Sequence, residues 1–281
     1  MKLTKKILTL ALAAALSLTF TACSGGDNSS TSDDSTADAG STVIRVGASP
    51  SPHAEILEAV KDQLADKGYT LEIQEFTDYV MPNVALAEGD LDANFFQHTP
   101  YLNDYNANNG TDLAVACKVH FEPMGIYSDA LDDISKVSEG AKVGVPNDAT
   151  NEARALNLLE AQGLIKLDPD AGLAATPLDI TENSLNLQFV ELEAAQLPRN
   201  LGEFEIAVIN GNYAIDAGIL DKGIVGEAAD SESAQEYANV LAVRSEDLES
   251  DKTKALVEVL NSNETRSFIE NSYKDQFVPV F

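Results

Sequence analysis

Short β-rich runs that alternate with apolar residues at helical spacing set the tightest limit on what this chain can fold into. Val43 to Ala48 is such a run; it stops at Ser49-Pro50-Ser51-Pro52, after which Ile56, Leu57, Val60 and Leu64 recur at helical intervals. The pattern repeats with Leu71 to Phe76 as a strand, Pro82 to Glu88 as a helix, Leu91 to Phe95 as a short strand, Pro100 to Tyr105 as a helix and Leu113 to Val119 as a strand. A second series starts at Lys142-Val143-Gly144-Val145-Pro146, passes a helix carrying Leu156, Leu158 and Leu159, and reaches strands over Leu187 to Leu192 and Glu205 to Ile209. Val240 to Val243 and helical segments around Ala255 to Leu260 and Thr265 to Tyr273 follow. Strands alternating with helices predict α/β layers with a mainly parallel sheet. The two series predict two lobes, 43–127 plus 240–281 and 128–239, whose strand ends face a shared cleft, the place where ligands sit in such sheets.

The first residues belong to neither lobe. Lys2, Lys5 and Lys6 precede an uncharged run from Ile7 to Phe20, which is short for a membrane span and has the length of the apolar part of an export signal. Phe20-Thr21-Ala22-Cys23 resembles the bacterial lipobox, with Phe20 where that motif usually carries Leu, Val or Ile. The resemblance implies a signal peptide over 1–22, removed by cleavage, and a Cys23 that is acylated, palmitate being such a chain. The plainer alternative is a secreted protein cut nearby. From Ser24 to Thr42 every residue is Ser, Thr, Gly, Asp, Asn or Ala, too little apolar surface to offset the entropy of ordering, so 23–42 reads as a lipidated tether. Its nineteen residues after the cysteine span roughly 25 Å as a flexible coil.

Charge narrows the partners. The formal net charge is −28 and becomes −31 once the three signal lysines are removed, so nucleic acid and anionic lipid would be repelled. Membrane contact is expected through the lipid anchor alone. With Cys23 assigned to the lipid, Cys117 has no partner for a disulfide, and its place in Leu113-Ala114-Val115-Ala116-Cys117 reads as a small buried hydrophobe.

Three segments could carry chemistry. Asp92-Ala93-Asn94-Phe95-Phe96-Gln97-His98-Thr99-Pro100-Tyr101 sits where a strand gives way to a helix and offers two phenyl rings, an imidazole and a phenol. Such a wall suits a thioether, whose sulfur gains about 0.3–1.5 kcal/mol against ring edges; Phe95 and Phe96 read equally as core residues. Asn147 to Arg154 begins a helix, with Thr150 or Asn151 as cap, free N–H groups that attract an anion, and Arg154 for a two-pronged grip on a carboxylate or a surface ion pair. Asn210, at the end of Ala207-Val208-Ile209, offers an amide for an ammonium or a carboxylate, or simply a turn with Gly211.

Longer words carry a resemblance. Phe76-Thr77-Asp78-Tyr79-Val80-Met81-Pro82-Asn83-Val84-Ala85-Leu86, Asp90-Leu91-Asp92-Ala93-Asn94 with Gln97-His98, Val145-Pro146-Asn147-Asp148, and Val190-Glu191-Leu192-Glu193-Ala194-Ala195-Gln196-Leu197-Pro198-Arg199 are similar to the methionine-binding lipoproteins of the NlpA type, in order and over the whole body from Val43. The resemblance implies a two-lobed periplasmic-binding-protein fold (type II-like) closing on one methionine, L or D, and passing it to an ABC importer permease and its ATPase. It further implies that Tyr79, Phe95, Phe96, His98 and Tyr101 line the thioether pocket. Asn151, Arg154 and Asn210 would hold the head group, with Arg154 on the carboxylate. Tyr127, in Glu122-Pro123-Met124-Gly125-Ile126-Tyr127, would face the cleft from the crossover. No cofactor or metal is implied, and the location is the outer face of the cytoplasmic membrane or the periplasm.

Rival classes have less to stand on. No nucleophile elbow supports an enzyme, and Cys117 has no evident activating group. A metal-capturing lipoprotein would draw on His53, His98 and His120, which are scattered along the chain. A binder of another apolar amino acid, of a methionyl dipeptide, or a surface adhesin on the same scaffold remains open.

Overall fold

In the computed structural model, residues 42–228, 235–274 and 276–281 are described. The signal, the tether and Cys23 lie outside the described residues. Residues 41–281 form one compact unit. The strands are β1 (Val43–Ala48), β2 (Thr70–Glu75), β3 (Ala93–His98), β4 (Leu113–Phe121), β5 (Gly125–Tyr127), β6 (Lys142–Pro146), β7 (Lys166–Leu167), β8 (Ile180–Glu182), β9 (Gln188–Leu192), β10 (Ile206–Ile209), β11 (Gly223–Gly226), β12 (Asn239–Arg244) and β13 (Val278–Pro279). The α-helices are α1 (Glu55–Ala59), α2 (Lys61–Asp66), α3 (Met81–Glu88), α4 (Thr99–Asn109), α5 (Ala149–Ala161), α6 (Gly211–Asp216), α7 (Asp251–Leu260) and α8 (Asn263–Tyr273).

Two sheets divide the chain into lobes. The first has the order β13-β4-β12-β3-β1-β2 and the second β11-β5-β10-β6-β9, while β7 and β8 form a small ladder of their own. Side chains alternate across each sheet, so every inner strand feeds two apolar layers. In the first lobe Val46, Phe95 and Leu241 join Ile56, Leu57, Leu64, Leu256 and Ile269 of the helices on one face. Ala242 joins Leu86, Leu91 and Leu102 on the other. In the second lobe Val143, Val145 and Val208 meet Leu156 and Leu159, and Ala207 and Ile209 meet Leu197, Leu201, Phe204 and Tyr213. Cys117 is buried in the first of these layers, as a small hydrophobe would be, and burial pushes its thiol up to about 12.

The sheets are mixed rather than mainly parallel. β1 pairs parallel with β2 and β3, and β6 with β9 and β10. β12, however, runs antiparallel between β3 and β4, and β5 antiparallel against β10 and β11. The reason is the crossing itself: a chain that leaves one lobe and returns brings its re-entering strand back in the reverse sense. Strand pairing also moves the outward crossing a few residues earlier than the sequence suggests. Tyr127 is already in the second sheet, opposite Ala207, so the chain crosses at 122–124. The return is complete at Asn239, which pairs with His98 and His120.

Helix starts and stops follow local chemistry. Gly89 and Gly110 end α3 and α4 at φ 86° and 65°, in the left-handed region that glycine enters without a Cβ penalty. Asp148, not Thr150 or Asn151, caps α5: its carboxylate accepts the Asn151 N–H at 3.0 Å. That carboxylate occupies the position at which an external anion would meet this helix end.

Candidate functional site

A cavity with about 330 Å³ of empty space, part of it open to solvent, lies between the lobes. Tyr79, Phe96, Gln97, His98 and Tyr101 line it from the first lobe, Asn151, Arg154, Asn210, Gly211 and Asn212 from the second, and Glu122 and Asn239 from the crossings. Seven of the residues singled out from sequence therefore meet in one place: Tyr79, Phe96, His98, Tyr101, Asn151, Arg154 and Asn210.

Phe95 and Tyr127 do not join them. The pairing of β3 with β12 shifts register at Phe96, which breaks the strand's regular alternation: Phe96, Gln97 and His98 border the cavity while Phe95 lies in the core, edge-on to His53 at 4.6 Å. Tyr127 belongs to the second lobe's core with Leu197 and Phe204, because β5 has already joined that sheet.

The aromatic wall is built by short local moves. Asp78 Oδ1 accepts the N–H groups of Val80 and Met81, which fixes the entry to α3. Tyr79 is thereby placed 5.8 Å from Phe96 and 4.8 Å from Tyr213, ring centre to ring centre. Tyr101 donates to the Tyr79 carbonyl at 2.9 Å. Behind the wall a closed amide network holds α3 on β3: the Asn83 amide donates to Gln97 at 2.8 Å, and Gln97 returns bonds to Asn83 and Asn94. Fully satisfied buried networks rigidify a site.

His98 joins the lobes. Its Nδ1 accepts the Tyr101 N–H at 3.2 Å, which leaves the proton on Nε2, 3.2 Å from Asn151 Oδ1. Burial first, and the neighbouring Arg154 second, push its pKa down to about 3, so the ring is neutral. Asn151 Oδ1 also accepts from Asn210 Nδ2 at 2.8 Å. Asn210 Oδ1 and Asn212 Nδ2, both buried, have no partner among the described residues. An unused acceptor and an unused donor facing one cavity are what a bound polar molecule would satisfy.

Arg154 is held more firmly than its sequence context suggests. Its Nε and Nη2 donate to Glu227 at 2.9 and 2.5 Å, Nη2 donates to the Glu122 carbonyl at 2.8 Å, and its Cζ lies 4.4 Å from the centre of the Tyr237 ring. The pair is buried, with side-chain exposures of 4% and 10%. The sequence offers Arg154 to a ligand carboxylate or to a surface ion pair; the structure gives it a buried, two-pronged ion pair that also borders the cavity.

Two of the scattered histidines meet in space. His53 and His120 place their Nε2 atoms 3.2 and 2.7 Å from Glu122 Oε1, and these three ligand atoms all lie within 4.8 Å of one another. The donor types could hold a metal, but ligating imidazoles usually anchor their second nitrogen. Both Nδ1 atoms here lack a partner among the described residues. Burial lowers the two pKa values to about 4 and about 3, which fits neutral rings, His120 donating Nε2–H to Glu122 and His53 its own to Asn239 Oδ1 at 2.9 Å. Glu122, Asn212, Asn239 and Glu227 were not singled out from sequence, and only the last residues of strands, where ligands gather in such folds, signalled any of them.

Two α/β lobes that meet at a cavity with one polar and one aromatic wall define a solute-binding protein. The comparisons name the family: the NlpA lipoprotein model matches residues 44–281, and the chain belongs to that family. It is 39% identical over 250 residues to the methionine-binding lipoprotein MetQ of Bacillus subtilis, covering 87% of this chain and 90% of that protein. A nutrient binding protein from Burkholderia cenocepacia, solved bound to methionine, matches with a TM-score of 0.80 and 41% identity over 85% of this chain and all of that one. An ABC transporter periplasmic substrate-binding protein from Coxiella burnetii matches with a TM-score of 0.79 and 40% identity, over 84% of this chain and all of its own. Membership of a lipoprotein family places the chain outside the cytoplasm, held at a membrane. No helix among the described residues is long and apolar enough to cross one.

Proposed function

We propose that the protein captures methionine outside the cytoplasm and hands it to the permease and ATPase of an ABC importer, without catalysing a reaction. The observation that carries this reading is the cavity's division of labour: Tyr79, Phe96 and Tyr101 form an apolar wall for a thioether, while Arg154 and the unpartnered Asn210 and Asn212 atoms face it from the other lobe. A cavity of this kind rewards a small solute whose two ends differ as these walls do. Cys23 would carry the lipid, holding the body at the outer face of the membrane through the tether; Cys23→Ser should release the protein to the soluble fraction.

Calorimetric titration of ligand-stripped protein tests the solute. L-methionine should bind and raise the melting temperature, since a ligand at 100 times its dissociation constant adds about 2.7 kcal/mol. The same series with D-methionine and a methionyl dipeptide ranks the stereochemistry and size the cavity accepts. Glutamate, lysine and zinc should leave the melting temperature unchanged; a larger response to zinc than to methionine would favour metal capture at His53, His120 and Glu122.

A further inference from the structure

We infer that Glu122 is the seat of the ligand's ammonium, and that His120 is a positioning residue that fixes its carboxylate by N–H donation. This rests on the amino-acid reading above and extends it to a residue that reading did not use.

Glu122 supplies the only carboxylate among the residues lining the cavity, and Arg154 the only guanidinium. Arg154 already has its counter-charge in Glu227, so Glu122 is not needed to balance it. Nor does Glu122 pair with a lysine or arginine side chain among the described residues; its contacts are the two imidazoles and a backbone amide. A carboxylate 4% exposed and touched by no cation is costly unless something supplies one. Burial raises its pKa, and the neighbouring His53 and Arg154 oppose that rise.

The lone pairs say where the cation goes. Oε1 accepts from His120 Nε2 at 2.7 Å and faces His53 Nε2, whose own bond goes to Asn239 Oδ1 at 2.9 Å, whereas Oε2 accepts one bond, from the Asn212 N–H at 3.0 Å. A carboxylate oxygen accepts two. The remaining site on Oε2 and the unpartnered Asn210 Oδ1 are thus two acceptors bordering the same cavity. An amino acid's ammonium and carboxylate leave one carbon, so their seats must be neighbours. They are, because Arg154 Nη2 donates to Glu122's own carbonyl. Gly211 helps the arrangement fit: a Cβ there would come within 3.0 Å of Phe277 Cε1 and 3.2 Å of the Glu122 Cβ and the Pro123 carbonyl, so its absence lets the chain carrying the Asn212 amide lie this close to Glu122.

The experiment compares methionine with its α-hydroxy analogue, in which a neutral hydroxyl replaces the ammonium, by titration of ligand-stripped protein. Wild type should prefer methionine by about a hundredfold or more, as loss of a buried charge's partner implies. Glu122→Gln should lose methionine by a similar factor while its affinity for the hydroxy analogue changes by less than about tenfold, since only a neutral hydrogen bond is altered there. Equal losses for both compounds, or a preference kept in the variant, overturn the assignment. If Glu122→Gln does not fold, Glu122→Asp, which withdraws the carboxylate by one methylene, should narrow the preference in the same sense. His120→Leu should narrow it, and His120→Gln, whose amide still donates, should restore it; full preference in His120→Leu removes the positioning role. Failure of wild type to bind methionine at all would instead sink the solute reading, a result visible before any variant is made.

Discussion

The two walls of the cavity differ in kind. The first-lobe wall is made of rings that touch one another, Tyr79 on Phe96 and Tyr101, with their polar atoms turned to backbone or to the other lobe. The second-lobe wall is made of amides and a guanidinium, and two of its amide atoms have no partner among the described residues. One wall is complete without a ligand and the other is not. Recognition of the apolar end is therefore expected to be shallow in energy and forgiving, and recognition of the polar end steep, because an unpaired buried polar group costs more than a lost ring contact.

Arg154→Ala is the strongest test of that contrast. Removing it leaves Glu227 buried with the Met124 N–H as its remaining recorded donor, which should cost about 3–5 kcal/mol of stability. Methionine affinity should fall by roughly two or more orders of magnitude. Urea unfolding reads the first and calorimetry the second. Replacing both partners, Arg154→Met with Glu227→Gln, sharpens the comparison: stability should partly recover, since no charge is left buried without its partner, and affinity should not. Near-wild-type affinity in both Arg154→Ala and Asn210→Ala would withdraw the polar wall from the binding site.

The neighbours Phe95 and Phe96 make the next test. Phe95 is fully buried on the core face with Val46, Leu57 and Leu256, so Phe95→Ala should cost about 3–5 kcal/mol of stability, as cavity formation does. Phe95→Leu should leave methionine affinity almost unchanged. Phe96→Leu keeps an apolar wall and should weaken binding by no more than about tenfold, the worth of a sulfur–ring contact. If Phe95→Leu harms binding more than Phe96→Leu, the face assignment of β3 is inverted.

This pair also shows where reading the chain reached its limit. Alternating β-rich and helical segments were enough to place most strands and helices within a few residues, because hydrophobic periodicity is local. Which residues of β3 meet the cavity is not local: Phe95 and Phe96 are neighbours, and only the register shift against β12 and the packing of α1 and α7 on Phe95 decide which is core. Arg154 with Glu227, and His53 with the sequence neighbours His120 and Glu122, are brought together from distant segments by the crossing strands, and no spacing encodes those long-range meetings. Asp148 was within reach, since an aspartate just before a helical run is itself a capping signal. The mixed sheets were not, because strand direction depends on a return crossing that periodicity cannot see.

The smallest expected effect lies where the two walls touch. Tyr79 belongs to the ring wall, yet its hydroxyl donates to Asn212 Oδ1 of the polar wall at 2.5 Å, and its ring leans on Tyr213 across the same gap. Burial, Tyr213 and Glu122 all raise its pKa, so the hydroxyl keeps its proton and remains a donor at neutral pH. Tyr79→Phe removes that one bond and leaves every ring contact in place. A neutral hydrogen bond is worth about 0.5–1.5 kcal/mol net, so affinity should drop by about twofold to tenfold. Because the lost contact joins the lobes, the loss should appear as faster methionine release, with association nearly unchanged. Stopped-flow displacement measures both rates. Slower association with unchanged release would mean that the hydroxyl shapes the open form and does not latch the closed one.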